Sequence, residues 1–594
     1  MELPCFGAIW QLFHKKKRFY NANEARPGMT SLTFQERQRM TRLWIDRAKR
    51  STISRVLHSP LMRWQFGAPI ADELLLAPQE LRTADASFAN EIAQGLFGLG
   101  GTVAALGRGS VFDVSPPNSM WNKRLHGFSW LRHLSAANSD DGRQFAQITV
   151  AEWINRYGRR SDIPWSPDVV GRRIFSWLAN SELILTGVDQ GYYDRFSDSL
   201  GRQLIHLSAR WRDAPGGLPR LVALNGLLTG ALCIGGHDQL ARRISRELAI
   251  ELDLQINEDG GHISRNPSAS VELLLDLLPL QSCFASRKRQ MPPKIVANIP
   301  RMLGFLRYMR MGDASLSRFN GMGATQLDSL ATLSAYIEDA SQLQANANAT
   351  GYARLNAGKT LLIADVAPPP DMENAALACA GCLSFELSSG YLPILVNGGT
   401  PGPADQDWLA QSRSTASHNT LVLGAKSSSK IVRHPTLEWL VGGPPIRLPE
   451  NATFSVLGDN DALLLDCQHD GYQRRFGLLH RRRLRLDKQG NWLEGTDQIK
   501  SATQQVRLPR DIPFSIHFHL HPDVQCDPEQ SPDNAQIALM DGSVWEFICN
   551  NATVSIEESI HFADRVGPAR SRQIVLRGTC FGDKTINWRL QRRA

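Results

Sequence analysis

Apolar residues recur at intervals of three and four over most of the first 345 residues. The spacing is clearest in residues 145–157, 174–185, 221–234 and 299–309. This period predicts amphipathic helices. Short loops rich in Gly, Pro, Asp and Asn separate them, as in residues 213–219. Many helices of similar length with short connections indicate antiparallel helical hairpins, either stacked or closed into a ring.

From about residue 350 the pattern changes to short runs of β-forming residues. These runs occupy residues 360–365, 392–396, 420–423, 462–466, 481–486 and 514–520, with turn residues between them. Strands without intervening helices predict antiparallel sheets packed as a sandwich. We therefore expect three parts: an N-terminal extension over 1–35, a helical domain over 36–345 and a β-sandwich domain over 350–590. A ligand cleft is expected where the two domains meet.

The most polar loop of the helical part is Asn257-Glu-Asp-Gly-Gly-His-Ile-Ser-Arg-Asn-Pro267, between two apolar helical runs. Gly260 and Gly261 permit backbone angles that other residues avoid, so this turn can present His262 and Arg265 to one space. Loops of this kind often carry binding or catalytic residues. The alternative is a glycine-capped helix end whose polar residues face water.

A second polar cluster, Arg413-Ser-Thr-Ala-Ser-His418-Asn419-Thr, stands immediately before an apolar strand. A histidine at the mouth of a strand can act as a general base near neutral pH, and Asn419 can hold its tautomer or bind a substrate oxygen. The alternative is a strand-end histidine bonded to backbone.

A third cluster combines aromatic and basic residues over 117–134 and again over 153–177. Tryptophan faces stack on sugar rings and guanidinium groups grip carboxylates, so this composition suits a groove for an acidic sugar. The candidate substrate-binding residues are His126, Trp130, Trp165 and Arg172. Aromatic residues at helical spacing are also typical of a core.

Composition narrows the class of protein. With 42% hydrophobic and 21% charged residues the chain is typical of a globular protein. The net charge of +8 fits attraction to an acidic substrate but is modest for this size. No phosphate-binding glycine loop and no G-x-S-x-G elbow occurs. Arg481, Arg482 and Arg483 alternate with leucines, which favours a solvated strand face over a nucleic-acid patch.

Two further expectations concern metals and location. His517, His519 and His521 alternate on one strand, but no acid shares their run, so a metal is not expected there. His469, followed by Asp470, is a better candidate for a structural divalent metal. No apolar run is long enough to span a bilayer. The basic run Lys15–Lys17 follows the apolar N-terminal segment, which is the reverse of a secretory signal.

Several motifs together resemble the heparinase II/III-like family of polysaccharide lyases. They are Asp259-Gly-Gly-His262, Arg413-Ser-Thr-Ala-Ser-His418-Asn419-Thr, His469-Asp-Gly-Tyr472, Leu125-His-Gly-Phe-Ser-Trp-Leu-Arg-His-Leu134 and Ala380-Gly-Cys-Leu-Ser-Phe-Glu386. The resemblance extends over residues 100–590. It implies an incomplete α/α toroid followed by an antiparallel β-sandwich. It also implies a place in the cell envelope or periplasm, with the cytoplasm as the alternative.

The implied reaction is β-elimination on a uronic-acid polysaccharide, without a required cofactor. His418 matches the histidine of the family's β-domain, and His262 is the second candidate for proton transfer. Asn225 matches a residue at the substrate carboxylate, although Gly226 follows where the family commonly has histidine. Ala269 stands at the position of the family's catalytic tyrosine. Arg220 and Arg265 are candidates to neutralise the carboxylate.

Three functions therefore remain open. The first is a lyase acting on an acidic polysaccharide. The second is a protein on the same fold that binds acidic glycans without catalysis or by an altered mechanism. The third is a glycoside hydrolase, which needs two facing carboxylic acids; Glu258 and Asp259 are adjacent, and adjacent residues tend to point apart. The sequence does not decide the oligomeric state.

Overall fold

The computed structural model describes residues 32–57, 73–107, 109–158, 163–336, 347–401, 406–447, 449–458, 460–503, 511–526, 534–564 and 567–593. The helices are α1 Phe34–Leu57, α2 Phe88–Ala93, α3 Ser119–Gly127, α4 Leu131–Ala137, α5 Asp140–Tyr157, α6 Pro167–Ala179, α7 Ser181–Leu185, α8 Gln190–Arg210, α9 Leu218–Cys233, α10 Asp238–Gln255, α11 Pro267–Ser286, α12 Pro293–Tyr308, α13 Leu327–Ser334, α14 Gln406–Ser412, α15 Pro435–Val441 and α16 Gln473–Phe476.

The strands are β1 Leu96–Leu99, β2 Thr102–Ala105, β3 Tyr352–Ala357, β4 Thr360–Asp365, β5 Phe385–Ser389, β6 Leu392–Leu395, β7 Leu421–Leu423, β8 Lys430–Ile431, β9 Ile446–Arg447, β10 Ala452–Gly458, β11 Ala462–His469, β12 Leu478–Asp487, β13 Trp492–Ser501, β14 Ile512–His519, β15 Gln525–Cys526, β16 Asn534–Ala538, β17 Val544–Cys549, β18 Thr553–His561, β19 Ala569–Cys580 and β20 Lys584–Arg592. None of the helices in the described part combines the length and apolar composition needed to cross a membrane.

Helices α6, α9 and α11 form the centre of the helical region, and most residues of α9 and α11 are buried. Helix α6 packs against α9 with backbone nearly touching backbone. A Cβ on Gly226 of α9 would lie 2.1 Å from the carbonyl oxygen of Gly171 on α6. Because Gly171 meets Ala223 and Ile174 meets Gly230 further along, the two helices run parallel. Their preceding loops therefore lie at the same end.

The β region consists of antiparallel sheets. An eight-stranded sheet has the order β10-β11-β12-β13-β20-β17-β16-β15, and a four-stranded sheet has the order β18-β19-β14-β7. Their inward side chains share one apolar core. A further four-stranded sheet, β3-β4-β5-β6, lies between this core and the helices.

Strand β4 shows why that middle sheet joins the two regions. Every residue of β4 is buried. Leu361 and Ile363 belong to the helical core, whereas Leu362 and Ala364 belong to the β core. A strand covered on both faces carries a continuous apolar run, as residues 361–364 do.

The N-terminal helix α1 also contacts the β region. Glu36 accepts two hydrogen bonds from Arg447 at 2.9 and 3.0 Å. Arg39 donates to Glu373, in the 3-10 turn Met372–Asn374. Residues 1–31 of the expected extension and residues 337–346, at the end of the expected helical domain, lie outside the described residues.

The close approach of α6 and α9 yields a test. Gly226→Ala would normally gain helix propensity, but here the added methyl meets the Gly171 backbone, so we expect a loss of about 1–3 kcal/mol from the free energy of unfolding. The matched control is Gly216→Ala, where a Cβ would meet nothing within 4 Å. Urea unfolding compares the two variants. Equal stability of both would contradict the packing described for α6 and α9.

Candidate functional site

The loop over residues 257–266 is held against both regions by its paired glycines. Gly260 has a φ of 89°, and a Cβ there would lie 2.1 Å from the Arg301 carbonyl oxygen. A Cβ on Gly261 would lie 2.1 Å from Thr350 Oγ1. The glycines therefore serve close packing as much as backbone freedom. Asp259 adds a tether, because Thr350 donates its N–H to Oδ2 at 2.7 Å and its hydroxyl to Oδ1 at 2.6 Å.

Arg265 fastens this loop to the β region. Its guanidinium donates to the carbonyl oxygens of Thr350, Gly351, Ala367 and Pro368 at 2.6–3.0 Å and to Asp365 Oδ1 at 2.5 Å. All five donors of the side chain are used. In this arrangement Arg265 has no donor left for a substrate carboxylate. Its role here is to hold the loop against the β region, and we call this set of hydrogen bonds the Arg265 clasp. Tyr352 donates its hydroxyl to the Arg265 carbonyl and completes the link.

His262 is buried with both ring nitrogens engaged. Nδ1 accepts the N–H of Ser264 at 3.0 Å, so the proton resides on Nε2, which donates to Gln255 Oε1 at 3.1 Å. Burial lowers the pKa of His262 to about 4, so the ring is neutral near pH 7. To accept a substrate proton, Nδ1 would first have to leave the Ser264 N–H.

Arg220 is connected to His262 through two side chains. Its guanidinium donates to Glu251 Oε1 at 3.3 Å, and Glu251 Oε2 accepts from Gln255 at 2.8 Å. Gln255 in turn accepts from His262. The Arg220 charge is thus compensated by Glu251. The sequence places Arg220 and His262 forty-two residues apart, and only the α9–α10 hairpin brings them into one network.

Three segments meet beside His262. A Cβ on Gly217, at the start of α9, would lie 3.8 Å from His262 Cε1 and 3.1 Å from Asn374 Oδ1. Asn374 ends the 3-10 turn whose Glu373 binds Arg39. The junction of the helical and β regions is therefore located at this histidine.

His418 has a different geometry. Its Nδ1 lies 2.7 Å from the Ser414 carbonyl oxygen, which can only accept, so Nδ1 carries the proton and Nε2 carries a lone pair. No side chain in the described part of the protein bonds to that Nε2. Gly381 packs directly against the ring, since a Cβ there would lie 2.6 Å from Cδ2 and 3.1 Å from Nε2. Burial lowers the pKa of His418 to about 4, which keeps the ring in its basic form at neutral pH.

Asn419, the residue after His418, fixes the backbone that carries His418. It accepts the His519 N–H at 2.6 Å and donates its amide to the Phe385 carbonyl at 2.8 Å. Its backbone carbonyl accepts from Arg482 at 2.6 Å, and its N–H donates to Asn397 Oδ1 at 3.0 Å. With these groups used and the side chain fully buried, Asn419 positions the strand mouth.

Arg482 is a buried residue that holds the backbone next to His418, so its predicted place on a solvated strand face is wrong. Arg481 and Arg483 pair with Asp466 at the sheet surface, as a solvated face requires. Arg482 is instead completely buried, donates to Asp497 at 2.7 and 3.1 Å and reaches Asn419. The available signal was the cross-strand register, since Arg482 lies opposite Asp497. Asp497 also accepts hydrogen bonds from His480 at 2.7 Å and from Trp588 Nε1 at 2.9 Å, so Arg482 belongs to a buried polar cluster.

No described tyrosine offers its hydroxyl to either histidine. Tyr352 is committed to Arg265, and Tyr472 donates to the Leu421 carbonyl at 2.6 Å. Burial raises the pKa of both phenols well above the usual value. Ala269, at the family's tyrosine position, lies buried in the first turn of α11. Asn225 is buried in α9, and its Oδ1 has no hydrogen-bond partner.

The aromatic and basic candidates divide into core residues and one pocket residue. Trp130 donates to the Leu125 carbonyl at 3.2 Å and is fully buried, and Trp165 donates to the Tyr157 carbonyl at 2.7 Å. Arg172 binds Asp276 with two hydrogen bonds at 2.7 and 3.1 Å. His126 lines a pocket of about 300 Å³ between α3 and α5.

Only one ring nitrogen of His469 forms a hydrogen bond among the described residues. Nδ1 accepts the Gly471 N–H at 2.9 Å, whereas Nε2 is buried without a partner. Its neighbour is the ring of His480, 5.2 Å away between centroids. Asp470 turns away and accepts from the backbone of Glu450. Within the described ranges, no group of three or more His, Cys, Asp or Glu side chains is arranged to hold a metal.

Known proteins resemble this chain both in the β region alone and over the helical and β regions together. Residues 340–589 match the family model described as heparinase II/III-like, C-terminal. The β-rich region is thus similar to the C-terminal domain of that family. Across the whole chain, the crystal structure of heparinase III superimposes with a TM-score of 0.65, 13% identity, and coverage of 95% of this chain and 92% of that one. The predicted helical toroid followed by an antiparallel sandwich is confirmed.

Two further similarities complete the comparison. A heparan sulfate lyase HepC mutant from Pedobacter heparinus matches with a TM-score of 0.59 and 16% identity over 87% of this chain and 86% of that chain. FtsZ-localized protein C of Caulobacter vibrioides is 28% identical over 540 residues, 89% of this chain and 92% of its own length.

The clasp of the heparinase-like fold predicts a large effect on stability. Arg265→Met leaves Asp365 buried without its cation, so we expect a loss of about 3–5 kcal/mol from the free energy of unfolding. The control is Arg42→Met on the exposed face of α1, which should change stability by less than about 0.5 kcal/mol. Denaturant titration measures both. A near-neutral Arg265→Met would contradict the clasp.

The buried neutral histidines predict acid sensitivity. His262 and His418 have folded pKa values of about 4, below the unfolded value. The unfolded chain therefore binds more protons between about pH 6.5 and pH 4, and stability falls as the pH falls through that window, by up to about 1.4 kcal/mol per pH unit for each histidine. Glu386, whose pKa burial raises to about 7, opposes this trend.

The contribution of His418 is isolated by comparing the pH profile of unfolding with that of His418→Gln. The variant should lose part of the slope between pH 6.5 and pH 4. Identical slopes would show that His418 is not held neutral by the fold.

Proposed function

We propose that this chain binds an acidic polysaccharide where the helical region (36–345) meets the β region (350–590) and cleaves it by β-elimination, with His418 transferring the proton. The observation that carries the proposal is the His418 tautomer. The Ser414 carbonyl holds the proton on Nδ1, which leaves a neutral Nε2 lone pair beside Gly381. A neutral, oriented imidazole with one open nitrogen is what a general base needs.

The reaction balances without an oxidant or a metal ion. Nε2 takes the proton from C5 of a uronate, and the electron pair forms a C4–C5 double bond as the C4–O4 bond breaks. The resulting imidazolium can return the proton to O4 when C5–H and O4 lie on the same face of the sugar. One histidine can then serve as base and acid. The use of one histidine for both steps matters here because Ala269 occupies the position of the family's catalytic tyrosine.

Neutralisation of the uronate carboxylate needs a donor other than Arg265, whose five N–H groups are used. Asn225 is the candidate from the helical region. It is buried in α9 with an unpartnered Oδ1. Its Nδ2–H group would donate to a carboxylate oxygen, and Oδ1 would accept from a sugar hydroxyl.

A second function, glycan binding without cleavage, is favoured by a specific observation. His262 has both nitrogens committed, and in the described part no tyrosine hydroxyl bonds to either histidine. A protein that kept the fold and lost its second proton donor would retain glycans and release nothing. For location, we propose the cell envelope, as expected for a polysaccharide substrate; the similarity to a protein named for localisation to FtsZ keeps the cytoplasm as the alternative.

The deciding experiment incubates the protein with a panel of uronate polysaccharides and follows the ultraviolet absorbance of the unsaturated product. We expect product from the wild type and a loss of at least about 100-fold in His418→Ala, in line with removal of a general base. The control is His237→Ala. His237 precedes α10, whose 18 residues place it about 27 Å from the end near His262.

Each outcome decides between the candidates. Full activity of His418→Ala would overturn the role of that histidine. Retention of a glycan without ultraviolet product would favour binding alone. New reducing ends without the chromophore would indicate hydrolysis and overturn the elimination.

A further inference from the structure

A pocket of about 300 Å³ opens in the helical region, away from His418. It lies between the 3-10 turn Val111–Asp113, helix α3, the end of α5 and the segment before α6. Its walls include Phe112, Asn122, His126, Tyr157, Ile163 and Pro164. This volume is at the lower limit for small-molecule sites and suits one sugar ring.

His126 presents a fixed donor to this pocket. Its Nδ1 accepts the indole N–H of Trp153 at 3.1 Å, so the proton resides on Nε2. The residue is only 4% exposed, and Nε2 forms no hydrogen bond with another described group. Nε2 is nevertheless not completely enclosed by protein atoms. The surface that it reaches is therefore the pocket. Burial and the nearby Arg173 lower the pKa of His126 to about 3, so this donor carries no charge at neutral pH.

Aromatic packing holds the donor in place. Phe112 stacks on the His126 ring at 5.7 Å with an interplanar angle of 11°, and Tyr157 meets the ring edge-on at 4.8 Å. Behind the wall, Arg173 donates at 2.8 Å to the carbonyls of both His126 and Pro164. The imidazole thus has little freedom to turn, and the pocket is preformed.

The lining of the pocket is apolar or uncharged. Arg156 pairs with Asp113 at 2.5 Å. Arg173 does not line the pocket: it is fully buried behind the wall, where it donates to Gln203 and to the His126 and Pro164 carbonyls. Bringing a carboxylate or sulfate into such a space would cost desolvation without a cation to compensate it. An uncharged ring with hydroxyl or amide oxygens would satisfy His126 Nε2–H, and an attached methyl would contact Phe112 or Ile163.

We propose that this pocket binds an uncharged N-acetylhexosamine ring, with a ring or acetyl oxygen accepting from His126 Nε2–H and the acetyl methyl on the apolar wall. The link to a polymer rests on the proposed function, in which the acidic unit lies near His418. The loops before α6 and α9 lie at one end of the parallel helices, and the α9 loop touches His262. The pocket and the junction therefore open on the same end of the helical region.

The test is saturation-transfer difference NMR on the full-length protein with methyl N-acetyl-glucosaminide, methyl glucoside and methyl glucuronide. We expect the strongest transfer to the acetyl methyl and none above background for the glucuronide. His126→Asn keeps an acceptor near the Nδ1 position for the Trp153 indole but has no group that reaches the Nε2 position. Tyr157→Phe removes one hydroxyl. Each should weaken binding about two- to twelve-fold, the effect of one hydrogen bond.

Two comparisons keep the outcomes separate. His126→Gln can restore a donor near the Nε2 position and should recover part of the affinity. Tyr192→Phe is the matched control, because its hydroxyl donates to the Gln147 carbonyl outside the pocket. Unchanged binding in both pocket variants, or equal binding of the glucuronide, would overturn the proposal. Ligand binding by a wild-type protein that forms no ultraviolet-absorbing product would retain the pocket and reject only the proposed reaction.

Discussion

The architecture depends on one buried ion pair and the carbonyl groups around it. Arg265, in the loop after α10, satisfies four backbone carbonyls and Asp365 of β4. A guanidinium can do this because its five donors spread in a fixed plane. The same loop is anchored by Asp259 to Thr350. The helical and β regions are thereby fixed at one point, and His262 lies beside it.

Burial of the histidines then decides their chemistry. His262 and His418 both have lowered pKa values, so each is neutral at pH 7. The difference between them is the hydrogen bond on the second nitrogen. His418 has a carbonyl partner and an open Nε2, whereas His262 is bonded at both nitrogens. Equal burial thus produces one candidate base and one structural ring.

The heparinase-like fold has been kept while the expected proton donor has changed. Ala269 stands in the first turn of α11, where a tyrosine would carry the second proton-transfer group. In the reaction that we propose, His418 therefore serves both proton steps. The unpartnered Oδ1 of Asn225 and the donor of His126 leave polar groups for a ligand. Binding and catalysis can be separated in such a scaffold, because they use different side chains.

The sequence determined the order of helices and strands, since hydrophobic periods of 3.6 and 2 reflect which faces are buried. It also marked the loops of His262 and His418 through their glycines and polar residues. Only the tertiary structure decided that Arg265 is a clasp, that Arg482 is buried and that Trp130 is core. The role of Arg265 depends on Asp365, 100 residues away, and that of Arg482 on Asp497 across the sheet and on Asn419, 63 residues away. The role of Trp130 depends on packing. A local pattern reports a residue's type and neighbours, whereas tautomer, burial and free donors are set by contacts that the folded chain brings together.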